Sequence, residues 1–323
     1  MRAAVVSGPG RTPAYGHFAE PVAVSGEQRI RVTAAALSPL VKSRATGGHY
    51  SSSAEFPFIV GVDGVGRLDD GRRVYFVLPR EPFGSMAEQS IVSSAQCLPL
   101  PDGLDDVTAA AIANPGMSSW AACVERARLK VGETVLINGA TGAAGRLAVQ
   151  IARHLGAKKV IATGRNIDSL RSVAALGAHV TIPLVENETL LENAFKEQFV
   201  QGVDVVLDYL WGKSAICLLK AGAKAGPDSV PIRFVQIGSA SGADLMLPSA
   251  VLRSSAIELM GSGIGSVPRD RLVEAIGHVL QATVSGGFKI ATQPVPLSDV
   301  GKVWSEDQGA RRVVFTMDEE RPR

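Results

Sequence analysis

The 323-residue chain lacks any excess of one charge: 33 basic and 31 acidic side chains leave a formal +2. That balance gives no electrostatic footprint for nucleic acid or for an anionic membrane surface. Cysteine is scarce as well. Cys97, Cys123 and Cys217 are widely spaced and odd in number, without a CxxC pair, which argues against a disulfide framework or a tetrathiolate zinc site and fits the reducing cytoplasm. No signal core follows Met1, because Ser7-Gly8-Pro9-Gly10 interrupts the opening apolar residues. The longest uncharged stretch, 107–124, carries Thr108, Asn114, Pro115, Gly116, Ser118 and Ser119. It reads as a helix broken at Asn114-Pro115 rather than as a membrane span. Two phosphate and acyl chemistries are missing too: Leu207 stands where a Walker A loop ending in Gly212-Lys213-Ser214 needs glycine, and no serine is flanked by glycine at both minus two and plus two.

What is present in quantity is glycine, 34 residues, with 18 prolines and only 5% aromatics, yet without a low-complexity segment. The chain therefore makes many turns inside a folded protein, and its length predicts two domains. Up to about residue 110 the text is β-like and irregular, with runs at 28–33 and 73–77 between Gly, Pro and Ser clusters. Beyond it strands and helices alternate: strands at 133–138, 159–163, 180–182, 203–208, 234–237 and 257–260, and helices at 146–155, 168–176 and 269–284. That alternation predicts an α/β Rossmann domain, a parallel doubly wound sheet, over 117–286. Residues 294–297 and 312–316 are β-like again, and the tail is too short for its own core, so 287–323 is expected to rejoin 1–116 as a mostly β domain.

The strongest local signal is Gly139-Ala140-Thr141-Gly142-Ala143-Ala144-Gly145, directly after a strand and opening a helix. Glycines at these points allow a tight turn, let backbone N–H groups approach a pyrophosphate, and permit close helix packing, while the helix N-terminus faces negative charge. The end of the second strand then selects the cofactor. Thr163-Gly164-Arg165-Asn166 offers a guanidinium and no acid, which favours the 2′-phosphate of NADPH over the free ribose of NADH, with Gly164 expected to leave space for it. Asp168 lies further on and is expected to cap the next helix. Tyr209-x-x-x-Lys213 imitates a short-chain dehydrogenase pair, but it stands too close behind the glycine cluster for that family.

At this point the chain resembles the medium-chain dehydrogenase/reductase superfamily, in its zinc-independent quinone oxidoreductase-like branch. The resemblance spans nearly the whole chain. It rests on Ala36-Leu37-Ser38-Pro39, Gly47-Gly48-His49-Tyr50, Gly61-Val62-Asp63-Gly64-Val65-Gly66, Pro115-Gly116-Met117-Ser118-Ser119-Trp120, the glycine cluster, Leu176-Gly177-Ala178, 204–208 and Ile237-Gly238-Ser239. It implies a GroES-like mostly β domain from both chain ends, a Rossmann domain, and an active site in the cleft. Zinc members carry a cysteine near Ser38 and Gly-His-Glu where this chain has Gly61-Val62-Asp63, so no metal is expected. Without a Lewis acid, the resemblance favours hydride transfer to a quinone or an α,β-unsaturated carbonyl, whose product anion is delocalised.

The same resemblance supplies candidate site residues. Tyr50 follows the family's Gly-x motif and either donates a proton to the developing oxyanion or shapes an apolar wall; His49 is an alternative donor. Ser38 replaces the family's Asn, and Val41 replaces an Asp found in many relatives. Ser118 matches a threonine near the nicotinamide, and Leu210, Gly238 and Ser239 are expected beside that ring. Relatives commonly pair through the strand near Ile257–Met260, which implies a homodimer. Two other activities stay open: a non-catalytic NADPH-binding sensor or structural protein, and a metal-independent alcohol dehydrogenase.

Overall fold

The computed structural model describes residues 1–47, 55–306 and 311–317. In chain order the elements begin with β1 (Arg2–Val6), β2 (Ala14–His17), β3 (Glu27–Ala36), α1 (Pro39–Ala45), β4 (Phe58–Ile59), β5 (Asp63–Arg67), β6 (Arg73–Val77), β7 (Gln89–Ser93), β8 (Cys97–Pro99) and α2 (Asp106–Ala121). There follow β9 (Thr134–Asn138), α3 (Ala143–His154), β10 (Lys159–Gly164), α4 (Ile167–Ala175), β11 (Val180–Pro183), α5 (Glu188–Val200), β12 (Val205–Asp208), α6 (Gly212–Ala225), β13 (Ile232–Gln236), α7 (Ser249–Arg253) and β14 (Ile257–Gly261). The chain closes with α8 (Arg269–Gly286), β15 (Thr292–Pro296), α9 (Val300–Val303) and β16 (Arg312–Thr316). Two compact units result: Met1–Asn114 with Ile276–Arg323, and Pro115–Ala275.

The first unit is built on the long strand β3. Its first half pairs antiparallel with β7 and its second half with β5, across a register shift between Val32 and Ala34. β16 joins β3 at Ala34–Ala36, so the chain's last strand completes a sheet begun near its start. Val6, Leu37, Val41, Val60, Met86 and Phe315 pack together in one core of this unit.

The second unit holds a parallel sheet in the order β11-β10-β9-β12-β13-β14. Ile161, Leu136, Val206 and Phe234 stand in one row across four strands and pack on Leu191, Phe195 and Phe199 of α5 and Leu218 of α6. Their neighbours Val135, Ile137, Val160 and Val235 are equally buried. A sheet buried on both faces explains why its strands read as continuous apolar runs without alternation.

Three local expectations are corrected. Helix α2 runs unbroken through Pro115; the proline forfeits one backbone hydrogen bond, but Ala109–Ala113 and Ser119–Cys123 are almost wholly buried, and that packing outweighs the loss. The cap of α4 is Asn166, whose Oδ1 accepts from Ser169 N at 2.8 Å, while Asp168 lies in the first turn and pairs with Arg171. Finally, α5 and α6 have no counterpart in the sequence expectation. In α6 a Cβ at Gly222 would meet the Phe199 ring at 3.3 Å, so glycine lets the two helices approach.

Candidate functional site

The carboxyl ends of adjacent parallel strands are where such sheets bind ligands. Here they carry Asn138 on β9, Thr163 and Gly164 on β10, and Asp208 on β12. The three glycines of the turn after β9 differ in what they do. Gly139 has φ +89°, and a Cβ there would strike Leu210 at 2.7 Å; at Gly145 a Cβ would strike the Gly139 carbonyl at 2.3 Å. These two are demanded by the fold. Gly142 has no neighbour within 4 Å of an added Cβ and stands at the N-cap of α3 without any side-chain cap bond. The first N–H groups of α3, around Ala143, Ala144 and Gly145, thus lack a side-chain partner, and this is the geometry that receives a phosphate at a helix N-terminus.

At Gly164 a Cβ would lie 2.4 Å from Thr141 Cγ2, so packing within the protein requires glycine. Arg165 follows at once, exposed and without an ion pair among the described residues. Asn166 is exposed next to it, its side-chain oxygen engaged in the α4 cap. Gly238 approaches Tyr209, whose carbonyl a Cβ at 238 would meet at 2.7 Å, and Ser239 is exposed beyond β13. Ser118 is half-buried on α2. In the other unit Ser38 is buried at the N-cap of α1, where Oγ accepts from Val41 N at 3.1 Å. Accepting that bond occupies a lone pair and leaves the hydroxyl proton to donate. Tyr50 and His49 lie outside the described residues.

A polar junction joins these strand ends. Gly139 N donates to Thr163 Oγ1 at 3.0 Å, and Thr163 donates to Asn138 Oδ1 at 2.9 Å. Asn138 Nδ2 donates in turn to Asp208 Oδ1 at 2.8 Å and Ser214 Oγ at 2.9 Å. The Asp208 carboxylate also accepts from Leu210 N at 3.0 Å and, through both oxygens, from Trp211 N at 3.1 Å. Burial raises the Asp208 pKa, opposed by those same donors. One carboxylate therefore fixes the 209–211 turn and, through Asn138 and Thr163, the glycine turn. The sequence reading missed this junction; its signal was a single polar residue closing each apolar strand, Asn138 after Val-Leu-Ile and Asp208 after Val-Val-Leu.

Two further residues brace the turn. Ser119 Oγ lies within hydrogen-bond distance of the Pro115 and Ala144 carbonyls, at 3.0 and 3.1 Å, and of Tyr209 Oη at 2.7 Å. With the serine proton committed to a carbonyl, Tyr209 donates to Ser119, and burial drives the phenol pKa far up. Trp211 adopts φ 59° and ψ −158°, a conformation that costs a non-glycine residue about 1–3 kcal/mol.

Residues 143–280 match the zinc-binding dehydrogenase family. Among the described residues no three His, Cys, Asp or Glu side chains come together to hold a metal. The chain is similar to the probable NADPH-dependent quinone reductase tdiC of Emericella nidulans, at 31% identity over 94% of this chain and 96% of the relative. It is also similar to the 2-methylene-furan-3-one reductase of Solanum lycopersicum, 27% identical over 83% of this chain and 71% of that protein. The solved quinone oxidoreductase of Thermus thermophilus matches with a TM-score of 0.80 and 25% identity, over 98% of this chain and 100% of its own.

Proposed function

Because the chain belongs to the medium-chain dehydrogenase/reductase superfamily, in its quinone oxidoreductase-like branch, we propose that it is an NADPH-dependent reductase of quinones or α,β-unsaturated carbonyls. The observation that carries this reading is the turn after β9, where Gly142 leaves the N-terminus of α3 open and uncapped. When bound there, NADPH supplies the hydride. The α3 N–H groups at Ala143, Ala144 and Gly145 hold the pyrophosphate, and Arg165 at the end of β10 meets the 2′-phosphate. Leu210, Gly238 and Ser239 lie along the nicotinamide, with Ser118 bonding the ribose or carboxamide. Tyr50, and Ser38 through its remaining proton, donate to the oxyanion that forms on the acceptor.

The reaction needs no metal. An anion spread over an enone or quinone is stabilised by hydrogen-bond donors in place of a Lewis acid. In line with the same reading, two copies pair through β14, the edge of the parallel sheet. Location in the cytoplasm is supported by the free thiols Cys97, Cys123 and Cys217; no helix among the described residues is long and apolar enough to cross a membrane.

A steady-state screen of NADPH and NADH against quinones, enones and saturated alcohols tests the function. Oxidation of NADPH in preference to NADH with a quinone or enone is expected, and Tyr50→Phe lowers kcat. Oxidation of saturated alcohols with stoichiometric zinc in the protein, or NADPH binding without turnover on any acceptor, overturns the reading. A solution mass of one chain, 33.8 kDa, in place of two would remove the dimer.

A further inference from the structure

Two successive carbonyls of the turn between β9 and α3 are held by a single residue. Arg146, in the first turn of α3, donates its backbone N–H to the Gly142 carbonyl at 2.9 Å and its side-chain Nε–H to the Thr141 carbonyl at 3.0 Å. The start of the turn is tied to β10 instead, where Gly139 N donates to Thr163 Oγ1 at 3.0 Å and Ala140 N to the Thr163 carbonyl at 2.8 Å. The exposed Gly142 N–H has no hydrogen-bond partner among the described residues.

The Thr141 carbonyl and the Gly142 N–H belong to one trans peptide unit, so they point in opposite directions and fixing the first aims the second. Little else fixes that unit. A Cβ added at Gly142 would meet nothing within 4 Å, and glycine has the widest backbone freedom of any residue. A long side chain in the first helical turn leans back toward the helix N-terminus, which is the reach that the Thr141 carbonyl requires. Charge does not explain the choice of residue. The N-terminus of α3 is its positive end and the first turn holds no acid, while partial burial lowers the Arg146 pKa from the usual arginine value. A cation kept where its charge is disfavoured draws attention to the bond it makes.

We propose that Arg146 is a positioning residue for the dinucleotide: its Nε–H holds the Thr141 carbonyl so that the Gly142 N–H is aimed, before binding, at an oxygen of the diphosphate. The inference rests on the reductase reading, in which the same turn receives NADPH. A donor set in place beforehand needs no reordering when the anion arrives. The hydrogen bond and not the charge is the working part. Glutamine carries an N–H donor at the same number of bonds from Cα as arginine Nε and can keep the bond without the charge; methionine, of similar length, cannot.

The test uses the full-length protein with its Arg146→Gln and Arg146→Met variants. The Kd for NADPH is read by fluorescence titration, and adenosine 2′-monophosphate, which has the 2′-phosphate and no diphosphate, is read by its displacement of NADPH. The NADPH Kd is expected to rise about tenfold in the Met variant and less than about threefold in the Gln variant, while the inhibition constant of adenosine 2′-monophosphate stays within about twofold. Without ligand the Met variant should melt within about 3 °C of the wild type, since the lost hydrogen bond is offset by removing a cation from the positive helix end. A Met variant that binds NADPH as the wild type does overturns the proposal. A Gln variant as weak as the Met variant assigns the effect to charge and also overturns it. So does a loss of adenosine 2′-monophosphate binding or of melting temperature in step with NADPH, which would make Arg146 a residue of the fold. A wild-type protein that binds no NADPH overturns the dinucleotide reading itself, and the role of Arg146 with it.

Discussion

Asp208 in the parallel-sheet unit and Asp63 in the β-rich unit are both buried, and burial raises the pKa of each, yet their surroundings have little in common. Asp208 accepts from the amide of Asn138 and the backbone of Leu210 and Trp211, all neutral donors. Asp63 accepts from Tyr75 Oη at 2.7 Å and Asn114 Nδ2 at 3.4 Å and feels the charge of buried Arg312. Among the described residues that guanidinium has no hydrogen-bond partner for Nε and Nη2. Neutral backbone donors hold a carboxylate in one geometry and turn it into a joint between turns. A cation that attracts without bonding makes two buried charges depend on each other.

Removing either carboxylate should break the comparison in different ways. Asp63→Leu strands Arg312 as an unpaired buried cation and is expected to cost about 3–5 kcal/mol in guanidinium unfolding. Arg312→Met costs less, since Asp63 can take a proton and keep Tyr75, and the double variant should recover much of the Asp63→Leu loss. Asp208→Ala leaves the N–H groups of Leu210, Trp211 and Asn138 unsatisfied, for a loss of about 2–3 kcal/mol. It also loosens the glycine turn, so the Kd for NADPH, read by fluorescence titration, should rise about tenfold.

The two sites agree in their acid behaviour. With a folded-state pKa above the usual 3.8, each carboxyl keeps its proton longer when folded than when unfolded. The contribution of each carboxyl to stability is therefore fully present below 3.8 and is lost as pH rises through its folded-state value. Asp208→Asn should remove its share of that slope, measured as the difference in melting temperature between variant and wild type as pH rises from below 3.8. The smallest effect concerns the thiols. Burial pushes Cys123 in the sheet unit up to about 12 and the half-exposed Cys97 in the β-rich unit up to about 11. In the folded protein at about pH 8, Ellman's reagent should label Cys97 slowly and Cys123 only after unfolding.

Legibility in the sequence followed the range of the interactions. The run Thr134–Asn138, the glycine turn behind it and the closing strand Arg312–Thr316 could be read because strand, turn and helix signals are local. The junction of Asn138, Thr163 and Asp208 could not, since it exists only once β10, β9 and β12 lie side by side. Pro115 was misleading for the same reason: local chemistry says break, and burial along α2 says continue. Asn166 and Asp168 are two adequate caps two residues apart, and only the backbone chooses between them.

Single-turnover reduction of an enone with NADPH deuterated at C4 of the nicotinamide, on the face that this enzyme uses, tests the central claim most directly. Deuterium at the carbon β to the carbonyl, with the α position protonated from solvent, is the predicted result. A product without deuterium, or with deuterium at the carbonyl carbon, contradicts the account.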